Sequence, residues 1–126
     1  MRFKIILAML LLTSIYATSQ TEAKGKMLQH VVIFKFKDGA KPEEVKKITD
    51  AFKALQSQIK EIRAFEWGTK NSPENLNQGF THCFVVSFAS EKDRDAYLPH
   101  PKHKEFVALL GPVLEKALVV DYWQEK

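Results

Sequence analysis

The sequence predicts a single α+β domain of the ferredoxin-like, split βαβ kind: a β-α-β-β-α-β order that folds into a four-stranded antiparallel sheet with helices on one face. Three observations predict it. Four short runs alternate apolar and polar residues, as half-buried strands do. Between them, two longer stretches space their apolar residues by three and four, as amphipathic helices do. No internal repeat or linker divides the sequence into further units.

The first segment, MRFKIILAMLLLTSIYATSQ, stands outside this domain. Arg2 and Lys4 form a short positive region, Ile5 to Leu12 is unbroken apolar sequence, and Ala17-Thr18-Ser19 supplies small residues for cleavage before Gln20. Residues 1–19 therefore read as a secretory signal peptide, and the expected location is secreted or periplasmic. The apolar run is shorter than the roughly 20 residues a bilayer span requires, so no stable membrane insertion is expected after cleavage. Residues 20–26 read as a flexible lead-in, and residues 27–126 as the domain.

Within the domain, residues 29–37 (QHVVIFKFK) set His30, Val32, Phe34 and Phe36 on one face of a strand and Val31, Ile33, Lys35 and Lys37 on the other. Asp38-Gly39 ends it. From Pro42 the period changes: Val45, Ile48, Phe52, Leu55 and Ile59 make the apolar stripe of a helix that starts on a proline. Residues 62–70 return to strand character with Phe65 and Trp67 on one side, and residues 71–79 (NSPENLNQG) form a loop. Residues 81–88 are the most apolar strand, with His82, Phe84, Val86 and Phe88 on one face. Ser90 and Asp93 resemble a capping box that opens a short helix through Tyr97, which Pro99 stops. Pro101 opens a further helix whose buried stripe is Phe106, Leu109, Leu110, Val113 and Leu114, with a kink expected at Pro112. Residues 117–124 make the last strand. Val31, Ile33, Cys83 and Val85 give the sheet a second apolar face, which a second copy or another sheet should cover.

Composition excludes several functions. The formal net charge is +4, and two of its positive charges, Arg2 and Lys4, leave with the leader, so no nucleic-acid footprint remains. The single cysteine, Cys83, cannot form an internal disulfide and reads as a buried small hydrophobe. Four histidines carry the chemical interest. Strand parity puts His30 and His82 under the helices, and His103 falls on the first turn of the last helix. With the Tyr97 hydroxyl they are expected to border one pocket. A zinc site would use His30, His82 and His103, but His100-x-x-His103 straddles a proline and no carboxylate sits at ligand spacing, so no metal is expected. Serine or cysteine nucleophiles lack a Gly-x-Ser-x-Gly elbow or a facing base. Acid–base chemistry remains: an imidazole at a helix N-terminus is held neutral and can take a proton, while a tyrosine hydroxyl steadies the oxyanion. His100, between two prolines, reads as a residue that shapes the turn.

The segments HVVIFKFKD (30–38), Trp67-Gly68, GFTH (79–82), YLPHPKH (97–103) and VDYW (120–123) resemble the stress-responsive dimeric α/β-barrel (Dabb) family across about residues 27–124. His100-Pro101-Lys102-His103 meets that family's His-Pro-x-His signature. The resemblance implies a protomer that forms a homodimer through its sheet face, closing an α/β barrel. One plant member closes a linear polyketide thioester by aldol condensation with a tyrosine and a histidine at the positions of Tyr97 and His103. The resemblance thus implies catalytic roles for Tyr97 and His103, and ligand contacts from His30 and His82. Ile48, Phe52, Phe84 and Phe106 would line the pocket. It implies no dissociable cofactor, although in some members main-chain carbonyls after the first helix hold a metal. Two readings follow: an exported dimer that binds a small hydrophobic or carbonyl-containing molecule, with cyclase- or lyase-type acid–base chemistry, or a non-enzymatic stress protein whose pocket is filled by its own side chains.

Overall fold

The computed structural model describes residues 25–126, and the leader read at residues 1–19 lies outside the described residues. The element order is β1 (Leu28–Phe36), α1 (Pro42–Gln58), β2 (Ala64–Thr69), β3 (His82–Phe88), α2 (Glu91–Tyr97), α3 (Pro101–Ala108) and β4 (Leu114–Trp123). The strands pair as β2-β3-β1-β4, each neighbour antiparallel. This is the predicted α+β, ferredoxin-like arrangement.

Local chemistry explains the helix starts. Pro42 occupies the first position of α1, where its missing N–H costs nothing. The Lys41 side chain has no acceptor, so capping runs one way: the Lys41 backbone N–H donates to Glu44 Oε2 at 3.1 Å. Ser90 Oγ accepts the Asp93 N–H at 3.1 Å and starts α2. His100 caps α3, its Nδ1 accepting the Lys102 N–H at 3.0 Å ahead of Pro101. The residue expected to shape the turn does so through its ring.

The last helix is shorter than its apolar stripe predicts. It ends at Ala108, four residues before Pro112, and Pro112 is not inside it. Continuing to Pro112 would drive the proline ring into the Ala108 carbonyl and remove a helical hydrogen bond, so the chain turns instead of kinking. The Val113 and Leu114 N–H groups both bond Leu110 O, at 3.0 and 2.8 Å. Leu114 then opens β4, three residues earlier than alternation alone suggests. The stripe residues still reach the core, but from a helix, a turn and a strand.

The core lies between the sheet and α1, α2 and α3. Phe34, Phe52, Phe84, Val86, Phe88, Leu55 and Ile59 are almost fully buried there. Phe52 is its hub: its ring centroid lies 4.5 Å from Phe84 and 4.4 Å from Phe106. On the opposite face, register aligns Val31 with Val85 and Val120, and Ile33 with Cys83 and Leu118. Among the described residues no helix or second sheet lies over that apolar stripe, and Leu118 is 47% and Val120 50% exposed. Among the described residues, no helix is long and apolar enough to cross a membrane.

Candidate active site

At one end of the sheet, polar side chains from four elements meet over a cavity of about 600 Å³. His30, near the start of β1, faces the helix side because strand parity puts it with Val32 and Phe34. Asp121 on β4 is its register partner. The His30 Nδ1–H donates to Asp121 Oδ1 at 2.7 Å, and Asp121 Oδ2 accepts from Arg94 Nη1 on α2 at 3.0 Å. Asp121 and Arg94 are functional residues that sequence reasoning missed. A signal was present: Asp121 is the single charge in ALVVDYW, and its parity places it on the helix face with Ala117 and Val119.

Tyr97 and His103 come together where α2 gives way to α3. Tyr97 is the last residue of α2 and fully buried, its ring centroid 4.4 Å from that of His103 and 5.8 Å from that of His30. Its hydroxyl is buried without a hydrogen-bond partner among the described residues. Burial pushes the phenol well above its ordinary range, so at neutral pH it is a hydrogen-bond donor and not a phenolate. The His103 Nδ1–H donates to the Leu98 carbonyl oxygen at 2.8 Å. A carbonyl can only accept, which fixes the proton on Nδ1 and leaves the Nε2 lone pair free. Burial first, then the neighbouring His30 and His100, lower the His103 pKa below 6.5, against the opposing pull of the Leu98 carbonyl. A neutral base and a protonated donor therefore share one cavity wall, their rings in contact but without a direct hydrogen bond.

The other expected site residues divide into those that line the cavity and those that do not. Phe52 and Phe106 line the cavity with His30, Tyr97 and His103. Ile48 and Phe84 do not; they are 2% and 0% exposed within the core behind it. The convergence of His82 with His30 and His103 is overturned. Both histidines lie near the start of their strands, but β1 and β3 are antiparallel, so the starts are at opposite ends: His82 pairs with Phe34, and His30 with Val86. Four residues of strand, about 13 Å, separate the two along β1. His82 instead packs on Phe36 and stacks on Trp67, and it borders a second cavity of about 540 Å³ under the residue 70–80 loop. A zinc site built on three histidines has no geometry here, and among the described residues no group of three or more His, Cys, Asp or Glu could hold a metal ion.

The model of the stress responsive A/B barrel domain (Dabb) matches residues 28–124. The chain belongs to this family. It is 41% identical over 101 residues to the stress-response A/B barrel domain-containing protein HS1 of Arabidopsis thaliana, covering 80% of this chain and 92% of HS1. It is 27% identical over 99 residues to olivetolic acid cyclase of Cannabis sativa, covering 79% of this chain and 98% of the cyclase. Among solved structures, hydroxynitrile lyase from Passiflora edulis superposes with a TM-score of 0.75 at 26% identity, covering 81% and 96% of the two chains. A dimeric ferredoxin-like protein of unknown function from Bacteroides fragilis superposes with a TM-score of 0.64 at 27% identity, covering 78% and 96%. This Dabb chain thus shares its fold with proteins named for two different chemistries and with one described as dimeric.

Proposed function

We propose that this Dabb protein binds a small hydrophobic, carbonyl-containing molecule in the cavity between sheet and helices, with Tyr97 and His103 as an acid–base pair. The observation that carries the reading is the Tyr97 hydroxyl, buried in the cavity wall with no protein partner among the described residues. Leaving such a group unsatisfied costs about 1–3 kcal/mol, and a ligand oxygen would recover that. The apolar walls, among them Phe52, Phe106 and Val119, suit a hydrophobic body, and the polar end suits its carbonyl.

The chemistry follows from the two protonation states. His103 Nε2 takes the proton from a carbon next to the carbonyl, and the Tyr97 O–H donates to the oxygen as enolate charge builds there. The enolate carbon then attacks a second carbonyl of the same molecule, and the imidazolium returns its proton to the new alkoxide. A cyclase and a lyase among the relatives support this class of reaction. The name of the 41% identical relative favours a second reading, in which the protein binds such a molecule during stress without turning it over. Incubating the protein in D₂O with a β-keto thioester separates them. Protein-accelerated deuteration at the α-carbon supports catalysis, binding without exchange supports the stress-binding reading, and no binding removes the site.

We also propose that the protein is exported and works as a homodimer through the apolar sheet face. The dimeric neighbour and the apolar outer face of Val31, Ile33, Cys83, Val85, Leu118 and Val120 support the assembly. A permanent interface of this kind buries about 2,000 Å² or more in total. Light scattering should report a dimer at micromolar concentration and a monomer, or insoluble protein, for Val120→Asp; a wild-type folded monomer removes this part. Export predicts a mature N-terminus near Gln20, and recovery of an intact Met1 terminus from the cytoplasm contradicts it.

A further inference from the structure

The cavity lining includes three formally charged side chains, Arg94, Asp95 and Asp121. Arg94 is shared between the two carboxylates: Nη1 meets Asp121 Oδ2 at 3.0 Å and Nε meets Asp95 Oδ1 at 3.1 Å. Among these three, one cation stands against two anions. Tyr97 is a neutral phenol and His103 is held neutral with its lone pair on Nε2, while the His30 Nδ1–H is committed to Asp121. The hydrogen bonds that make this site polar are thus arranged for an uncharged guest.

We propose that Asp121 sets the charge class of the ligand. By occupying Arg94 and His30 together it prevents the guanidinium from acting as a carboxylate anchor, and the cavity selects uncharged carbonyl compounds over acids of the same shape. Asp121 is a specificity-determining and positioning residue in this scheme, not a catalytic one. Its burial matters: the Asp121 side chain is 21% exposed and Arg94 22%, so solvent screens their pairing less than that of Asp95, which is 64% exposed. A ligand carboxylate would have to become a third anion around a guanidinium already held by two. This selectivity rests on the cavity being a ligand site, and the test keeps the two apart.

The test uses an isosteric pair, 4-phenyl-2-butanone and 3-phenylpropanoate, in which a methyl replaces a carboxylate oxygen. Titrations by calorimetry at neutral pH should give the ketone an affinity at least about tenfold above the acid in the mature protein. Asp121→Asn preserves the shape and can still accept the His30 Nδ1–H through its amide oxygen, but it no longer neutralises Arg94. In that variant the acid should gain about tenfold or more and equal or overtake the ketone. The double change Arg94→Gln with Asp121→Asn should abolish the gain, which separates a freed guanidinium from a general loosening of the site. Where Asp121→Asn does not fold, Arg94→Gln supplies the opposite sign: the acid weakens further and 3-phenylpropylammonium gains. Equal binding of ketone and acid by the wild type overturns the proposal. So does a folded Asp121→Asn that still binds the ketone without improving the acid. Failure of both probes to bind any form removes the ligand site itself, and this inference with it.

Discussion

The two ends of the sheet each carry a histidine of the same parity, and they use it in opposite ways. At one end, His30 meets Asp121, which meets Arg94, and the ring lies 5.8 Å from Tyr97 in an edge-on contact. At the other, His82 stacks almost parallel on Trp67, with 5° between the planes, packs edge-on against Phe36 and bonds Thr81 Oγ1 through Nδ1 at 2.8 Å. Charge and unsatisfied hydrogen-bonding capacity gather at the first end, aromatic surface at the second. The same residue type on the same face becomes part of a polar constellation where the neighbouring edge strand supplies a carboxylate. It becomes an aromatic clamp where the neighbour, β2, supplies a tryptophan.

The largest expected effect is the sharpest test of that contrast. His103→Gln removes the free Nε2 lone pair and should reduce α-carbon exchange by about a hundredfold, the usual cost of losing an acid–base group. His82→Gln should leave the exchange rate within about twofold, because the ring borders neither Tyr97 nor the first cavity. Both variants are measured in the same D₂O assay with their thermal melts alongside. A loss at His82 equal to that at His103 would break the comparison.

How much of this was legible follows from what each signal encodes. Alternation in HVVIFKF and THCFVVSF assigns every side chain to a face, so the helix-side histidines and the apolar outer stripe could be read directly. Parity says nothing about which end of the sheet a residue occupies, and that depends on strand direction. Antiparallel β1 and β3 put Phe34 opposite His82, a consequence of topology that strand starts taken alone reverse. Tyr97 and His103 were legible because Pro99 and Pro101 tie two helix ends together within a few residues, so their approach is local. Asp121 lies 91 residues from its histidine partner, and only the β1–β4 register brings the two together. The helix ending at Ala108 was legible in Pro112, had its ring been counted against the carbonyl four residues earlier.

A middle-sized effect follows from the orphan hydroxyl, with opposite signs for binding and stability. Tyr97→Phe deletes the group that has no protein partner among the described residues and leaves the ring contacts with Phe88 and His103 in place. The ligand-free protein should become more stable by about 1 kcal/mol, because an unsatisfied buried donor is removed. Ketone affinity should fall by about tenfold as the neutral donor at the head of the cavity is lost. Denaturant melts and calorimetry on the same preparation measure both. A variant destabilised in the absence of ligand would mean that the hydroxyl is already satisfied, and the polar end would then lose its defining feature.

The smallest effect is a pH dependence that both ends share. Burial lowers the pKa of His103 and of His82 below 6.5 in the folded chain. The unfolded chain, with ordinary histidines, binds more protons than the folded chain at mildly acidic pH, so stability rises with pH across that range. The contribution is complete above the unfolded value of about 6.5 and is lost as pH falls from there through the folded value. The melting temperature should therefore drop between about pH 7 and pH 5, and each of His103→Gln and His82→Gln should flatten part of that slope. The two substitutions should add, because the histidines sit at opposite ends of the sheet and share no partner. Exchange activity should behave differently, following His103 alone. Its lowered pKa keeps Nε2 free at pH values where an ordinary histidine is half protonated, so the rate should hold to below pH 6.5 before it falls. A rate profile that shifts in His82→Gln, or a melting profile that ignores both substitutions, would place the desolvated imidazoles elsewhere than at these two ends.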